Sequence, residues 1–168
     1  MNTIRFFQNL PGSWVINRSI PDYGHMQGEA TFSQIGTETN KLRYHEQGQL
    51  TLEASKKTFA CYRDYVYRYQ GEQDAISIHF VEAGKTDRLF HMLQFPTDSD
   101  VSTAKGTHHC GQDIYRAVYE SIDNDAFRII YKVKGPHKDY ESHTTFQRKP
   151  SSVPEEGTVV SPLLNKLA

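Results

Sequence analysis

The sequence predicts an all-β fold, an antiparallel up-and-down β-barrel of nine or ten strands with one short N-terminal helix. Three observations carry that prediction. Apolar and aromatic residues alternate with polar ones along most of the chain, which is the period of half-buried strands. Turn-forming residues interrupt these runs at the spacing expected of an antiparallel barrel or sandwich. Trp14 opens the first run behind Gly12-Ser13, and Arg148 closes the last. A guanidinium laid across an indole can seal one barrel end, and closure removes exposed sheet edges.

The elements follow in order. Thr3 to Leu10 reads as the helix, with Thr3 as its cap, Ile4, Phe7 and Leu10 on one face, and Pro11-Gly12 as its stop. Placed there, it plugs the barrel mouth beside Trp14. Trp14, Ile16, Arg18 and Ile20 share one face of the first strand, and Pro21 and Gly24 mark a turn. Gln27–Ile35 and Lys41–Gln47 are the next strands, the second ended by Gly48, with Leu50–Ala54 as a short separate one. Phe59–Tyr69 is long and tyrosine-rich. Ala75–Glu82 and Arg88–Phe95 pair across Ala83-Gly84-Lys85. Pro96–Gly106 reads as a polar loop, His108–Ile122 and Ala126–Lys134 as a hairpin, and Lys138–Arg148 as the last strand.

Composition bounds the function. The chain has 168 residues, 37% hydrophobic, 12% aromatic and 23% charged, enough for one domain with a proper core. That domain spans residues 1–149, and the proline-, serine- and glutamate-rich stretch 150–168 is expected to be a disordered tail. A net charge of −1 without any Lys/Arg block argues against nucleic acid as a partner. Cys61 and Cys110 can make at most one bridge, and reduced thiols in a cytoplasmic protein are expected. Met1 to Leu10 lacks the apolar core of a secretion signal, and no run approaches the roughly 18 apolar residues of a membrane span.

The barrel interior looks too polar to be only a core. If Trp14 points inward, Arg18 does too, since four residues along a strand restore the face. On the tyrosine-rich strand, Arg63, Tyr65 and Tyr67 make the expected inner face. Tyr44 and Glu46 share a face with Leu42, and His91 shares one with Leu89, Leu93 and Phe95. Buried charges cost kilocalories unless paired. One reading is therefore internal compensation, Arg18 or Arg63 against Glu46 or Asp113. The other is a seat for a carboxylate or phosphate entering an otherwise apolar cavity.

His108-His109-Cys110-Gly111-Gln112-Asp113-Ile114-Tyr115 is the densest chemical stretch. His108 and Cys110 share a face, and a bulge at Gly111-Gln112 brings Asp113 and Tyr115 onto it. A His–Asp acid–base pair is one reading. A Cys–His nucleophile lacks an elbow or oxyanion motif, and a metal site, to which His91 or His79 could add a ligand, lacks a C-x-x-C, an H-E-x-x-H or a second carboxylate cluster. In Gly135-Pro136-His137-Lys138-Asp139-Tyr140 the rigid turn is the first reading, with Lys138 on the rim.

Three motifs together, L-P-G-S-W (Leu10 to Trp14), H-x-C-x-x-D-x-Y (His108 to Tyr115) and G-P-x-K-D-Y (Gly135 to Tyr140), resemble domain-of-unknown-function family 6314 over about Leu10 to Arg148. The G-x-W start and terminal arginine are also similar to the calycin group of lipocalins, fatty-acid-binding proteins and nitrobindins. The resemblance implies a calycin-like barrel and brings no established activity. Arg63-x-Tyr65 is similar to the Arg-x-Tyr that holds a carboxylate in fatty-acid-binding proteins, where it lies near the C-terminus. A nitrobindin-like haem site needs an inward histidine late in the chain, and His143 has the opposite strand parity from Arg148.

The leading expectation is a small-molecule binding protein. Arg18, Tyr44, Glu46, Arg63, Tyr65, Tyr67 and His91 line the site, and Leu42, Ile78, Leu93 and Ile129 contact the apolar part of an amphipathic ligand with an anionic or oxygen-rich head. The alternative is an enzyme in which His108 is general acid or base, Asp113 orients it, Tyr115 or Tyr67 donates a proton and Arg63 stabilises developing charge. Haem or metal binding is the third alternative. No cofactor is expected.

Overall fold

The computed structural model describes residues 1–81, 88–97 and 102–150. Helix α1 (Thr3–Asn9) is followed by strands β1 (Gly12–Ile20), β2 (Gly24–Ile35), β3 (Glu38–Leu52), β4 (Thr58–Gln70), β5 (Ala75–Phe80), β6 (Leu89–Leu93), β7 (Thr103–Cys110), β8 (Asp113–Ser121), β9 (Ala126–Lys134) and β10 (Asp139–Arg148). These ten form one sheet in the order β6-β5-β4-β3-β2-β1-β10-β9-β8-β7. Sequence neighbours pair antiparallel throughout, and β1 pairs β10, so the first and last strands join. Only β6 and β7 lie side by side without a ladder among the described residues. The architecture is a nearly closed, calycin-like up-and-down barrel. No helix among the described residues is long and apolar enough to cross a membrane.

Period-two alternation predicts the strand faces well, and the departures have local causes. Gly48 does not end a strand. It lies within β3, opposite Gly28, where an added Cβ would fall 2.4 Å from the Gln27 carbonyl oxygen, so close approach rather than a turn explains the glycine. The expected strand His108–Ile122 is instead two strands. Cys110 pairs with Asp113 across a tight turn, and Gly111 takes a φ of 60° that suits glycine. Strand β7 consequently begins inside the stretch expected to be a polar loop. The turn at Ala83-Gly84-Lys85 and the tail after residue 150 lie outside the described residues.

The N-terminal helix also differs in detail. Asn2, not Thr3, is the cap, its side-chain oxygen accepting from the Arg5 amide at 3.0 Å. The Thr3 hydroxyl turns inward and accepts from the Phe95 amide at 3.0 Å. Phe6 joins Phe7 and Leu10 in the core, while Ile4 is half-buried. Phe6 meets Phe95 at 4.7 Å and Phe127 at 5.5 Å between ring centroids, so the helix corks one barrel end.

Behind that cork the interior is filled. Trp14 is fully buried and donates its indole N–H to the Leu10 carbonyl at 2.9 Å. Its ring meets Phe127 edge-on at 4.9 Å, and Phe127 stacks on Phe146 at 4.2 Å. The Arg148 guanidinium lies 4.2 Å from the Trp14 ring and donates to the carbonyls of Asn9, Pro11 and Asn124 and to Asp125. One side chain thus satisfies the end of α1, the β8–β9 turn and the indole face together.

Replacing Arg148 with methionine keeps the stem but removes every one of those hydrogen bonds. Urea unfolding should show a loss of about 2–4 kcal/mol, since hydrogen bonds from a charged donor each contribute roughly 1.5–3 kcal/mol. A loss below about 0.5 kcal/mol would show that the guanidinium does not clamp the barrel end.

Candidate binding cavity

The opposite half of the barrel is open. A cavity of about 380 Å³ lies there, at the lower end of the roughly 300–1,000 Å³ typical of small-molecule sites. Its wall is made by the ends of strands farthest from α1: Arg18 and Ile20 closing β1, Cys61, Arg63 and Tyr65 opening β4, Phe80 closing β5, His108 and Cys110 closing β7, and Tyr115 opening β8. Because each inner-face residue sits two positions from the next, β4 runs from cavity to packed core as Cys61, Arg63, Tyr65, Tyr67.

Glu46 is the electrostatic centre of this wall. It is 3% exposed, and Arg18 grips it with both terminal nitrogens, at 2.9 and 2.8 Å. The Tyr44 hydroxyl donates to the same carboxylate, and Arg18 extends a third donor to the Thr144 hydroxyl at 2.7 Å. Burial pulls the Glu46 carboxyl upward, but the hydrogen bonds and charge of Arg18, with the charge of Arg63, hold it below the usual carboxylate range. The Arg18–Glu46 pair is therefore internally neutral. Arg63 is left over: its nearest Glu46 oxygen is 3.8 Å away, outside hydrogen-bond range, although Tyr65 also engages it. Five guanidinium N–H groups exceed what these two neighbours can absorb.

The structure thus brings Arg18, Glu46, Arg63 and Tyr65 together on one cavity wall, with Tyr44 just behind. Tyr67 lies deeper. Its hydroxyl is 3.2 Å from that of Tyr119, which is 3.2 Å from that of Tyr131, and Tyr131 reaches the cavity. Leu42, Ile78, Leu93 and Ile129 sit in the packed half and do not line the cavity, contrary to expectation. The aromatic end simply leaves no room beside them.

His91 does not line the cavity either. It is 2% exposed and packs where β6 passes β7, and a Cβ added to Gly106 would fall 2.5 Å from its ring. Both ring nitrogens are buried without a hydrogen-bond partner among the described residues. Leu89, expected on the same face, is 44% exposed. The pairing shifts by one residue between Ile78 and His79, so Phe90 bulges inward in its place.

The acid–base set is not assembled. His108 lines the cavity, opposite Tyr115, and packs edge-on to Phe80 and Phe90 at 5.6 and 5.1 Å. Burial and the charge of Arg88 lower its pKa, although the Phe90 backbone accepts from its ring. Asp113 does not orient it. The turn at Gly111 sends Asp113 across from Cys110, where Lys138 pairs with it at 2.7 Å and donates to Tyr115 at 3.0 Å. His143 turns outward to Glu141 at 2.6 Å.

Sequence reasoning missed Phe80, Arg88, Phe90 and Tyr131. Tyr131 was findable, since it lies two residues beyond the inward Ile129. Phe90 was not, because a bulge reverses parity. Arg88, just before β6, lies 4.3 Å from the centre of the Phe80 ring at the end of β5, a contact that alternation within one strand does not show.

Two outcomes follow from these burials. Glu46→Gln leaves both arginines facing an uncharged amide, and should cost about 3–5 kcal/mol in urea unfolding, as broken buried pairs do. An Arg18→Met/Glu46→Leu double variant should recover most of that loss, and no recovery would rule out the pair as the cause. For His91, burial and nearby His108 push the pKa from 6.5 down to about 3. The unfolded chain then binds the extra proton between those values. Stability is full above about pH 6.5 and falls as pH drops toward 3, with a limiting slope of about 1.4 kcal/mol per pH unit. His91→Leu should flatten the profile between about pH 6.5 and 5, above most carboxylate titration. Parallel profiles for the two proteins would contradict this assignment.

Among solved structures, an S-type phycobiliprotein lyase from Guillardia theta superposes with a TM-score of 0.60 at 11% identity, covering 90% of this chain and 94% of that one. That likeness supports the barrel fold alone. A redesigned β-barrel bound to DFHBI (TM-score 0.42, 14% identity, 84% and 97% covered) and a Schistosoma mansoni fatty acid binding protein in complex with arachidonic acid (0.35, 12%, 84% and 97%) are more distant. No curated protein matches the chain by sequence. A family model does match, over residues 10–148, and by it the chain belongs to a family of unknown function (DUF6314).

Proposed function

We propose that this protein binds a small amphipathic anion in the open half of its barrel. The observation that carries the reading is the excess of positive charge: Arg18 and Glu46 cancel, and Arg63 remains beside them on a cavity wall that also carries Arg88 and is otherwise mostly rings and apolar groups, with two cysteines and Ser142. The Arg63 side chain is 45% exposed to the open cavity, so its spare N–H groups are available, and an entering carboxylate or phosphate oxygen takes the place of water there with charge-assisted hydrogen bonds. The cavity size favours a short molecule, because the aromatic plug at Trp14, Phe127 and Phe146 closes the remaining length. The reaction-chamber alternative draws no comparable support, since Asp113 is committed to Lys138 and not to His108.

Thermal-shift and calorimetric titrations with octanoate, octyl phosphate and octanol test this. The two anions should raise the melting temperature with ligand concentration, as binding to the native state requires, and octanol should do so much less. Arg63→Met should weaken the anions at least tenfold while leaving octanol within about twofold, tenfold corresponding to about 1.4 kcal/mol. If neither anion shifts the melting temperature, or if Arg63→Met leaves anion affinity unchanged, the proposal fails.

A further inference from the structure

We infer that the cavity reads planar, conjugated or aromatic acids in preference to aliphatic ones, an inference that rests on the anion-binding reading above. The observation is the orientation of its rings. Tyr65 stacks on Phe90 with 5.5 Å between centroids and 14° between planes, and Phe90 stacks on Tyr131 at 5.8 Å and 16°. Behind them Tyr44 lies 6.1 Å from Tyr65 at 19°. Four rings from four strands, β3, β4, β6 and β9, therefore share nearly one plane direction, and Tyr65, Phe90 and Tyr131 border the cavity. Most other ring contacts in the barrel are tilted or edge-on, as at Phe32–Tyr67 and Trp14–Phe127, so parallel stacking is confined to particular places.

The chemistry of such a wall is selective. A flexible chain needs a surface that moulds to it, whereas a row of rings that cover one another's faces presents a fixed series of edges. The face of an aromatic ligand set against such edges gains edge-to-face attraction beyond the area buried, and an alkyl chain does not. His108, edge-on, and Phe80, tilted, also pack against Phe90 and help fix its plane. Arg63 stands one inner-face position closer to the mouth than Tyr65, with its guanidinium 6.0 Å from that ring's centre. A flat acid set against the edges of the row would therefore carry its carboxylate toward Arg63, at the edge of its own plane, which suits an aryl or conjugated carboxylate.

The test compares 2-naphthoate with decanoate, which have nearly the same carbon count and the same charge, by calorimetry and by circular dichroism in the naphthalene absorption band. The expected result is 2-naphthoate at least about tenfold tighter, with an induced dichroic band from the achiral probe. Phe90→Leu should reduce that preference to within about threefold by weakening 2-naphthoate and sparing decanoate. Tyr131→Leu, at the other end of the stack from Tyr65, should do the same and serves where Phe90→Leu does not fold, as judged by its melting curve. Decanoate binding as well as or better than 2-naphthoate overturns the inference and leaves the anion site standing. A preference that survives in a folded stack variant overturns it too, because the rings would not be the reader. Failure of both acids to bind removes the anion-binding reading itself, and this inference with it.

Discussion

Both oxygens of Glu46 accept from Arg18 over the intervening β2, with Tyr44 donating to one of them, the Arg18 Nε donating to Thr144 and a further Arg18 N–H reaching the Met26 sulfur. These residues belong to β1, β2, β3 and β10, and β3 is not a neighbour of β1 in the sheet, so the pair ties strands that no backbone ladder joins. The pairing has a second consequence. Three of the roughly four acceptor sites of the carboxylate are taken and its single charge is matched by Arg18, and the shortest approach of Arg63, 3.8 Å, is a charge contact only. Compensation and ligand seat, which look like rival readings of the polar interior, are both present, on adjacent arginines. Arg18 is spent on structure, and Arg63 is what the structure leaves unspent.

Such an arrangement needs a rigid frame, because charged groups that can relax outward do so. The frame is the other end of the barrel. There α1, Trp14, Phe127, Phe146 and Phe95 pack ring on ring, and Arg148 binds the carbonyls that the end of α1 would otherwise leave open. The exclusion of water from that half also confines any ligand to the mouth. A barrel interior of this circumference filled throughout with rings would have no site, and one emptied throughout would have little core. Here the division falls at about the level of Tyr65 and Tyr67 on β4, the first bordering the cavity and the second fully enclosed.

The fold was largely legible because strands write their faces in alternation and the barrel writes its closure in Trp14 and Arg148. Arg18, Glu46, Arg63 and Tyr65 were legible for the same reason, each lying in phase with an apolar residue whose burial is unambiguous. What could not be read were positions where backbone geometry overrides parity. Gly48 looks like a strand end and is a close approach, and Gly111 looks like a bulge and is a hairpin turn that removes Asp113 from His108. The commitment of Asp113 to Lys138 joins residues 25 apart in sequence, and periodicity carries no information about such partners.

The one-residue shift between Ile78 and His79 links the remaining peculiarities of the structure. In regular alternation Leu89 and His91 would face inward and Phe90 outward. The shift leaves Phe90 opposite no residue of β5 and turns it into the barrel beside His91, while Leu89 goes to the surface. Two consecutive inward residues crowd the edge of β6 at the place where its ladder ends and β7 passes. The imidazole is pressed against Gly106 with both nitrogens unpartnered among the described residues, a cost that a hydrocarbon side chain would avoid. The same shift sets Phe90 between Tyr65 and Tyr131, completing the stack that faces the cavity. A bulge that spoils the sheet edge, buries an unsatisfied histidine and builds an aromatic wall is thus a single backbone event, and the polarity it strands at the seam is the counterpart of the flat surface it creates within.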